Sequence, residues 1–157
     1  MPTLTVIRAA IGAHLELIPG LVVSPNLPAV QTLGDGGGCV VGGPTGSYPE
    51  AMGRGNVTWN IPVYVLAPTV DYDVSTALLD ELVNPYGDRS IPQLCWNYGR
   101  AKGELGQGFG VVDSDGAVDL DAYIDELTAY GVEFENAGIQ HIGAVLNCVV
   151  NAPGYPT

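Results

Sequence analysis

The clearest alternation of apolar and polar positions lies between Val57 and Leu66. Val57, Trp59, Ile61, Val63 and Val65 take every second position, with Thr58, Asn60, Pro62, Tyr64 and Leu66 between them. A period of two puts the first five on one face of a strand. After a short acidic turn the period changes. Val74, Ala77, Leu78 and Leu82 recur at helical spacing, and Asp73 stands where an N-cap would. Asn84-Pro85 ends this helix, because the residue before a proline avoids the α region. Pro62 has no amide hydrogen to give to a ladder, which predicts an edge strand or a bulge there.

The start of the chain carries a second helical stripe, Leu4, Ile7, Ile11, Leu15 and Ile18. Thr3 is its candidate cap and Pro19-Gly20 its stop. His14 lies beside the stripe, where a lone histidine reads as partly buried packing. Leu21 to Ser24 and Cys39 to Val41 read as short strands. Ser90 to Trp96 has room for one helical turn, with Pro92 in its first turn.

Towards the C-terminus, Leu120, Ile124 and Leu127 suit a helix capped by Asp119. The same residues suit a half-exposed strand, and periodicity alone leaves both open over 119–130. Val132 to Glu135, Gly138 to Ile142 and Ala144 to Val150 read as strands with tight turns, Asn136-Ala137-Gly138 being a hairpin turn. On the last strand Leu146, Cys148 and Val150 share a face. These elements form a single domain over 1–157, with flexible Gly/Pro-rich loops at about 25–56 and 97–118 and a short C-terminal tail at 151–157.

Charge adds a constraint. The net charge is −12; residues 1–102 hold all five Lys and Arg with eight acids, and 103–157 hold nine acids and no Lys or Arg. A protein that grips nucleic acid by its phosphates needs the opposite balance. Two readings remain: acids that keep a protein soluble, or a surface that nucleic acid passes without sticking. No apolar run approaches the roughly 18–20 residues of a membrane span. The N-terminus lacks the basic region and apolar stretch of a signal peptide, so an intracellular protein with no membrane partner is expected.

Candidate chemistry is sparse. Cys39, Cys95 and Cys148 are far apart and odd in number, which points to buried free thiols. Gly34-Asp35-Gly36-Gly37-Gly38 has no following Lys-Ser/Thr and no strand-to-helix context, so it is no phosphate loop. Asp113-Ser114-Asp115-Gly116 resembles a calcium loop. In that register, however, Val111 and Ala122 would stand at the first and last ligand positions. His14 and His141 fall on different elements, and no GxSxG, HExxH or Walker pattern occurs. No catalytic, cofactor-binding or metal residues are expected.

Three stretches together resemble tail-terminator proteins of long-tailed, siphovirus-type phages of actinobacteria. IRAAIGAHLELIPGLVV is similar to that family's opening helix and first strand. YPEAMGRGNVTWNIPVYVL and ALLDELVNPYGDRSI resemble its glycine turn, long strand and following helix. DAYIDELTAYGVEFENAGIQHIGAVLNCVV resembles its closing strands. The resemblance implies an α+β fold: a mixed, mostly antiparallel sheet with an N-terminal helix and a second helix packed on it. It favours strand over helix between Asp121 and Thr128. Pro62 and the long glycine-rich stretch from Asn97 to Gly116 depart from the family's pattern.

The resemblance further implies a structural virion protein, not an enzyme, needing no cofactor. It would form a ring, a hexamer, that caps the head-proximal end of the tail tube and ends tube polymerisation. Its partners would be other copies of itself, the tail tube protein and the head–tail connector or stopper protein. It would assemble in the host cytoplasm and let DNA pass. Tyr48, Met52, Arg54 and Arg89 are the candidate subunit interface; Arg54 and Arg89 read equally well as solvated surface arginines. Glu104, Asp113, Asp115, Asp119, Asp121, Asp125 and Glu126 are the candidate acidic lumen. A head-closure or neck ring at the same joint is the alternative. A small soluble enzyme or ligand-binding domain is the rival from another class.

Overall fold

The computed structural model describes residues 4–24, 36–46, 56–68, 71–95, 109–113, 116–136 and 139–153. The fold is α+β. Among the described residues three helices, α1 (Leu4–Leu15), α2 (Tyr72–Val83) and α3 (Ile91–Leu94), accompany six strands. These are β1 (Val22–Ser24), β2 (Gly38–Val41), β3 (Asn56–Pro68), β4 (Phe109–Asp113), β5 (Gly116–Asn136) and β6 (Ile139–Pro153). The sheet order is β1-β2-β3-β6-β5-β4. Only β1 and β2 pair in parallel; the other pairs are antiparallel.

One face of the sheet carries the core. The alternation in β3 puts Ile61, Val63 and Val65 there, beside Leu146, Cys148 and Val150 of β6. Ile7, Ile11 and Leu15 of α1 pack onto them, as do Leu78, Leu79 and Leu82 of α2 and Ile91 of α3. Ile18 is buried too, although α1 ends at Leu15 and the chain turns after it. Side-chain bonds fix the N-terminal helix: Arg8 Nη2 donates to the Val41 carbonyl at 3.2 Å, and His14 Nε2 meets the Leu94 carbonyl at 2.8 Å. A carbonyl only accepts, so this ring nitrogen carries the proton.

Helix α2 starts earlier than its apolar spacing suggests. Its N-cap is Asp71, whose carboxylate accepts from the amides of Asp73 and Val74. Asp73 sits in the first turn instead, where its charge favours the helix dipole. The buried stripe is accordingly Ser75, Leu78, Leu79 and Leu82, while Val74 and Ala77 face outward. Ser75 is buried without penalty because its hydroxyl donates to the Pro68 carbonyl. Asn84 ends the helix in an extended conformation, and Ser90 caps α3 through the Gln93 amide.

Strand β3 is not an edge strand, despite Pro62: β2 lies on one side and β6 on the other. Asn60 N donates to the Thr45 carbonyl at 2.8 Å, and Gly42 N to the Pro62 carbonyl at 2.7 Å. Even-numbered residues of β3 therefore turn their backbone groups towards β2. Pro62 does so just past the end of β2, where Gly43 and Pro44 stand against the single residue Ile61. The irregularity lies in the neighbouring segment, and one donor is lost where the ladder is already broken.

Residues 119–130 are strand throughout, part of the 21-residue β5. Strand β4 pairs with Gly116–Leu120 and β6 with Asp121–Asn136. Register shifts fall between Ile124 and Glu126, Leu127 and Ala129, and Tyr130 and Val132. Asp125, Thr128 and Gly131 are the extra residues. Consequently the residues opposite core-facing Cys148, Leu146, Ala144 and Ile142 are Ile124, Leu127, Tyr130 and Glu133. A spacing of three mimics the helical period, which explains the ambiguity of the sequence. Gly131 has φ +71°, a left-handed conformation suited to glycine in a bulge.

Other boundaries also move. β6 is continuous from Ile139 to Pro153, so Gly143 is a strand residue and no turn. A β carbon there would meet the Val65 carbonyl at 2.6 Å and the Phe134 ring at 2.7 Å, so glycine is required by contact. The supposed tail from Asn151 begins inside this strand. The range read as a loop at 97–118 contains β4 and the start of β5, while β2 lies where Cys39 to Val41 read as a strand.

Candidate functional site

The side of the sheet away from the helices divides into two parts. At one end a polar chain crosses three strands: Asn147 Nδ2 on β6 donates to Asn60 Oδ1 on β3 at 3.2 Å and to Asp125 Oδ1 on β5 at 2.8 Å. Thr58 and Asn151 bond at 2.9 Å beside it. At the other end Val40, Tyr64, Leu66 and Phe134 form a small apolar cluster, with Tyr64 and Phe134 edge to face at 5.7 Å.

His141 is 4% exposed on β6, in register with Pro68 and Phe134, and neither ring nitrogen has a hydrogen-bond partner. Burial lowers its pKa below the usual 6.5. Burial also lowers that of His14, against the raising effect of its bond to Leu94. The two rings sit on separate elements, α1 and β6. The thiols of Cys39 and Cys148 are pushed up to about 12 by burial, and that of Cys95 rises by burial and by its neighbouring thiols. All three are free and buried, hence poor nucleophiles. Among the described residues no group of three His, Cys, Asp or Glu could hold a metal.

What the described residues do offer is the outer side of β5. Leu127 and Tyr130, on the helix side, are 47% and 44% exposed, and Val132, on the opposite face, is 39% exposed. Asp125, Glu126, Glu133 and Glu135 flank them and are exposed. Tyr130 donates its hydroxyl to Asp80 on α2; that bond and partial burial push its pKa up to about 12. Beyond β4, nothing among the described residues pairs with the outer side of β5 from Asp125 to Glu135.

Of the sequence-predicted lumen acids, Asp125 and Glu126 therefore lie exposed on β5. Asp113, Asp119 and Asp121 hold strand positions on β4 and β5, so the five share one β-hairpin and its extension. Glu104 and Asp115 lie outside the described residues, as do Tyr48, Met52 and Arg54. Arg89 is engaged within its own chain: Nη2 donates to the Gly36 carbonyl at 2.7 Å and Nη1 meets Glu81 at 3.4 Å. The exposed apolar residues of β5 were missed by sequence reasoning. Their signal was the three-residue spacing of Leu127, Tyr130 and Glu133.

No protein-family model matches the chain, and no curated protein matches it.

Proposed function

We propose that the chain is a structural virion protein, a ring-forming tail terminator at the head-proximal end of a phage tail tube. The observation that carries the reading is the order of elements along the three resembling stretches. An opening helix leads into a short strand (α1, β1), a long strand into an amphipathic helix (β3, α2), and a long antiparallel hairpin closes the chain (β5, β6). The chemistry fits: the thiols are buried and the histidines stand apart. The acids concentrated on β5 suit a channel wall, since a negative lining denies phosphates the counterion-release gain that would hold DNA. A ring repeats one heterologous contact until it closes. Its subunits would meet the tube protein on one end and the connector on the other.

The test is polymerisation of the cognate tail tube protein with and without this chain, followed by electron microscopy. The reading predicts tubes of arrested length with a cap at one end only. Tubes that grow unchanged and carry no cap would overturn it.

A further inference from the structure

We propose that His141 is an acid-sensitive latch at one end of the sheet: uncharged, its imidazole keeps the ends of β3, β5 and β6 closed, and a proton on it opens them locally while the core stays folded. The side chain lies on the face away from the helices, with Val40, Tyr64, Leu66 and Phe134. It is 4% exposed, and both ring nitrogens lack a hydrogen-bond partner. A buried polar group without a partner costs stability, so a chain that keeps one calls for a reason. Packing alone does not supply it, because a leucine would bury as readily with no nitrogen to satisfy.

Position makes the imidazole a latch. His141 with Pro68 is the last pair of the β3–β6 ladder. Two further pairs, Glu135 with Gln140 and Asn136 with Ile139, separate it from the end of the β5–β6 ladder. Ladder ends open at lower cost than strand centres. Directly across, Phe134 holds the closed form: its ring fills the space that a β carbon on Gly143 would need, and it meets Tyr64 edge to face at 5.7 Å.

The neighbours offer a charged imidazole nothing. On this part of the face β2 contributes Val40, β3 contributes Tyr64, Leu66 and Pro68, and β5 contributes Val132 and Phe134. Tyr64 is the titratable group among them. Glu133 and Glu135, in register with Ile142 and Gln140, alternate to the helix side. Burial is accordingly the cause of the lowered pKa of His141, with no charged group among the described residues contributing. Histidine is also the side chain whose charge changes between pH 5 and 8. Protonation leaves two N–H donors and a charge in an apolar setting, and opening the ladder end lets water reach them. This inference is independent of the tail-tube reading: a chain with another role would keep the latch.

The test is hydrogen exchange of the full chain, followed by NMR at pH 7.5 and pH 5.5 and corrected for the intrinsic exchange rate. Amides of 134–136 and 139–143 should open at least about twofold more often at pH 5.5. The ceiling is about tenfold, set by an exposed imidazole that titrates near 6.5. Amides of 61–65, in the middle of β3, should not change. His141→Leu, or His141→Gln if leucine does not pack, should abolish the difference between the two pH values. No rise at pH 5.5 would overturn the proposal. So would a rise that persists in both variants, or one shared equally by 61–65, which would be global unfolding and no latch.

Discussion

The β3–α2 unit and the β5–β6 hairpin are both long strands leading into their neighbours, yet they are built differently. β3 is held on both sides, and its alternation is regular, with Ile61, Val63 and Val65 fully buried beneath α2. β5 is held by β6 on one side and carries three extra residues. Its helix-side residues progress from Ile124, packed on the core, to exposed Leu127 and Tyr130 and then to Glu133. The first region spends its apolar residues on the core; the second leaves some at the surface, among acids. The lesson is that an alternating strand marks scaffold, and a strand whose period drifts marks a surface shaped for something else.

Truncating leucines should expose this contrast most strongly. Leu79→Ala, at a position with no exposure, should cost about 2–5 kcal/mol in urea denaturation. Leu127→Ala should cost less than about 1 kcal/mol, since nearly half of its surface is already in water. Equal losses would mean that β5 belongs to the core after all.

The two glycines of the hairpin should separate next. Gly143→Val forces a β carbon against the Val65 carbonyl and the Phe134 ring, for an expected loss of about 1–3 kcal/mol. Gly131→Ala meets no neighbour and should cost only about 1 kcal/mol, from the left-handed backbone. Chemical denaturation of both variants checks the order.

These contrasts also show what was legible. Apolar spacing located α1, α2, β1, β2 and β3, because each buries one stripe or run under ordinary periodicity, and Pro92 marked the first turn of α3. Of the two readings Pro62 allowed, the edge fails and the irregularity holds: the ladder on its amide side is already broken beside it, in the neighbouring segment from Gly42 to Thr45, whose place the sequence does not show. The cap of α2 was placed at Asp73 instead of Asp71, since either aspartate has a carboxylate within reach of a first-turn amide. On β5 the bulges replaced alternation with a spacing of three, and only pairing with β6 reveals which residues are extra. Of the candidate site, Asp125 and Glu126 were visible as acids; the exposed Leu127, Tyr130 and Val132 were not.

The cap reassignment yields a smaller effect. Asp71→Ala should lower stability by about 1 kcal/mol, the usual value of an N-cap. Asp73→Ala should lose only its dipole contribution, at most about 0.5 kcal/mol in an exposed first turn. Thermal melts of the pair would reverse in order if Asp73 were the cap.

The smallest expected effect is the pH dependence. Both histidine pKa values lie below 6.5 in the folded chain. As pH falls through 6.5 the unfolded chain takes up protons first, so stability is full above that pH and declines below it. The decline levels off once the folded rings also protonate. His141→Leu should flatten the slope of stability against pH below 6.5 more than it changes stability above it. An unchanged slope would place the acid sensitivity elsewhere.

The central claim is that this domain works as a closed ring on a tail tube. Native mass spectrometry of the purified chain, over a range of concentrations and with or without the tail tube protein, tests it most directly. The account predicts a closed oligomer, a hexamer, that forms or tightens when tubes are present. A strict monomer or dimer indifferent to tubes would contradict it.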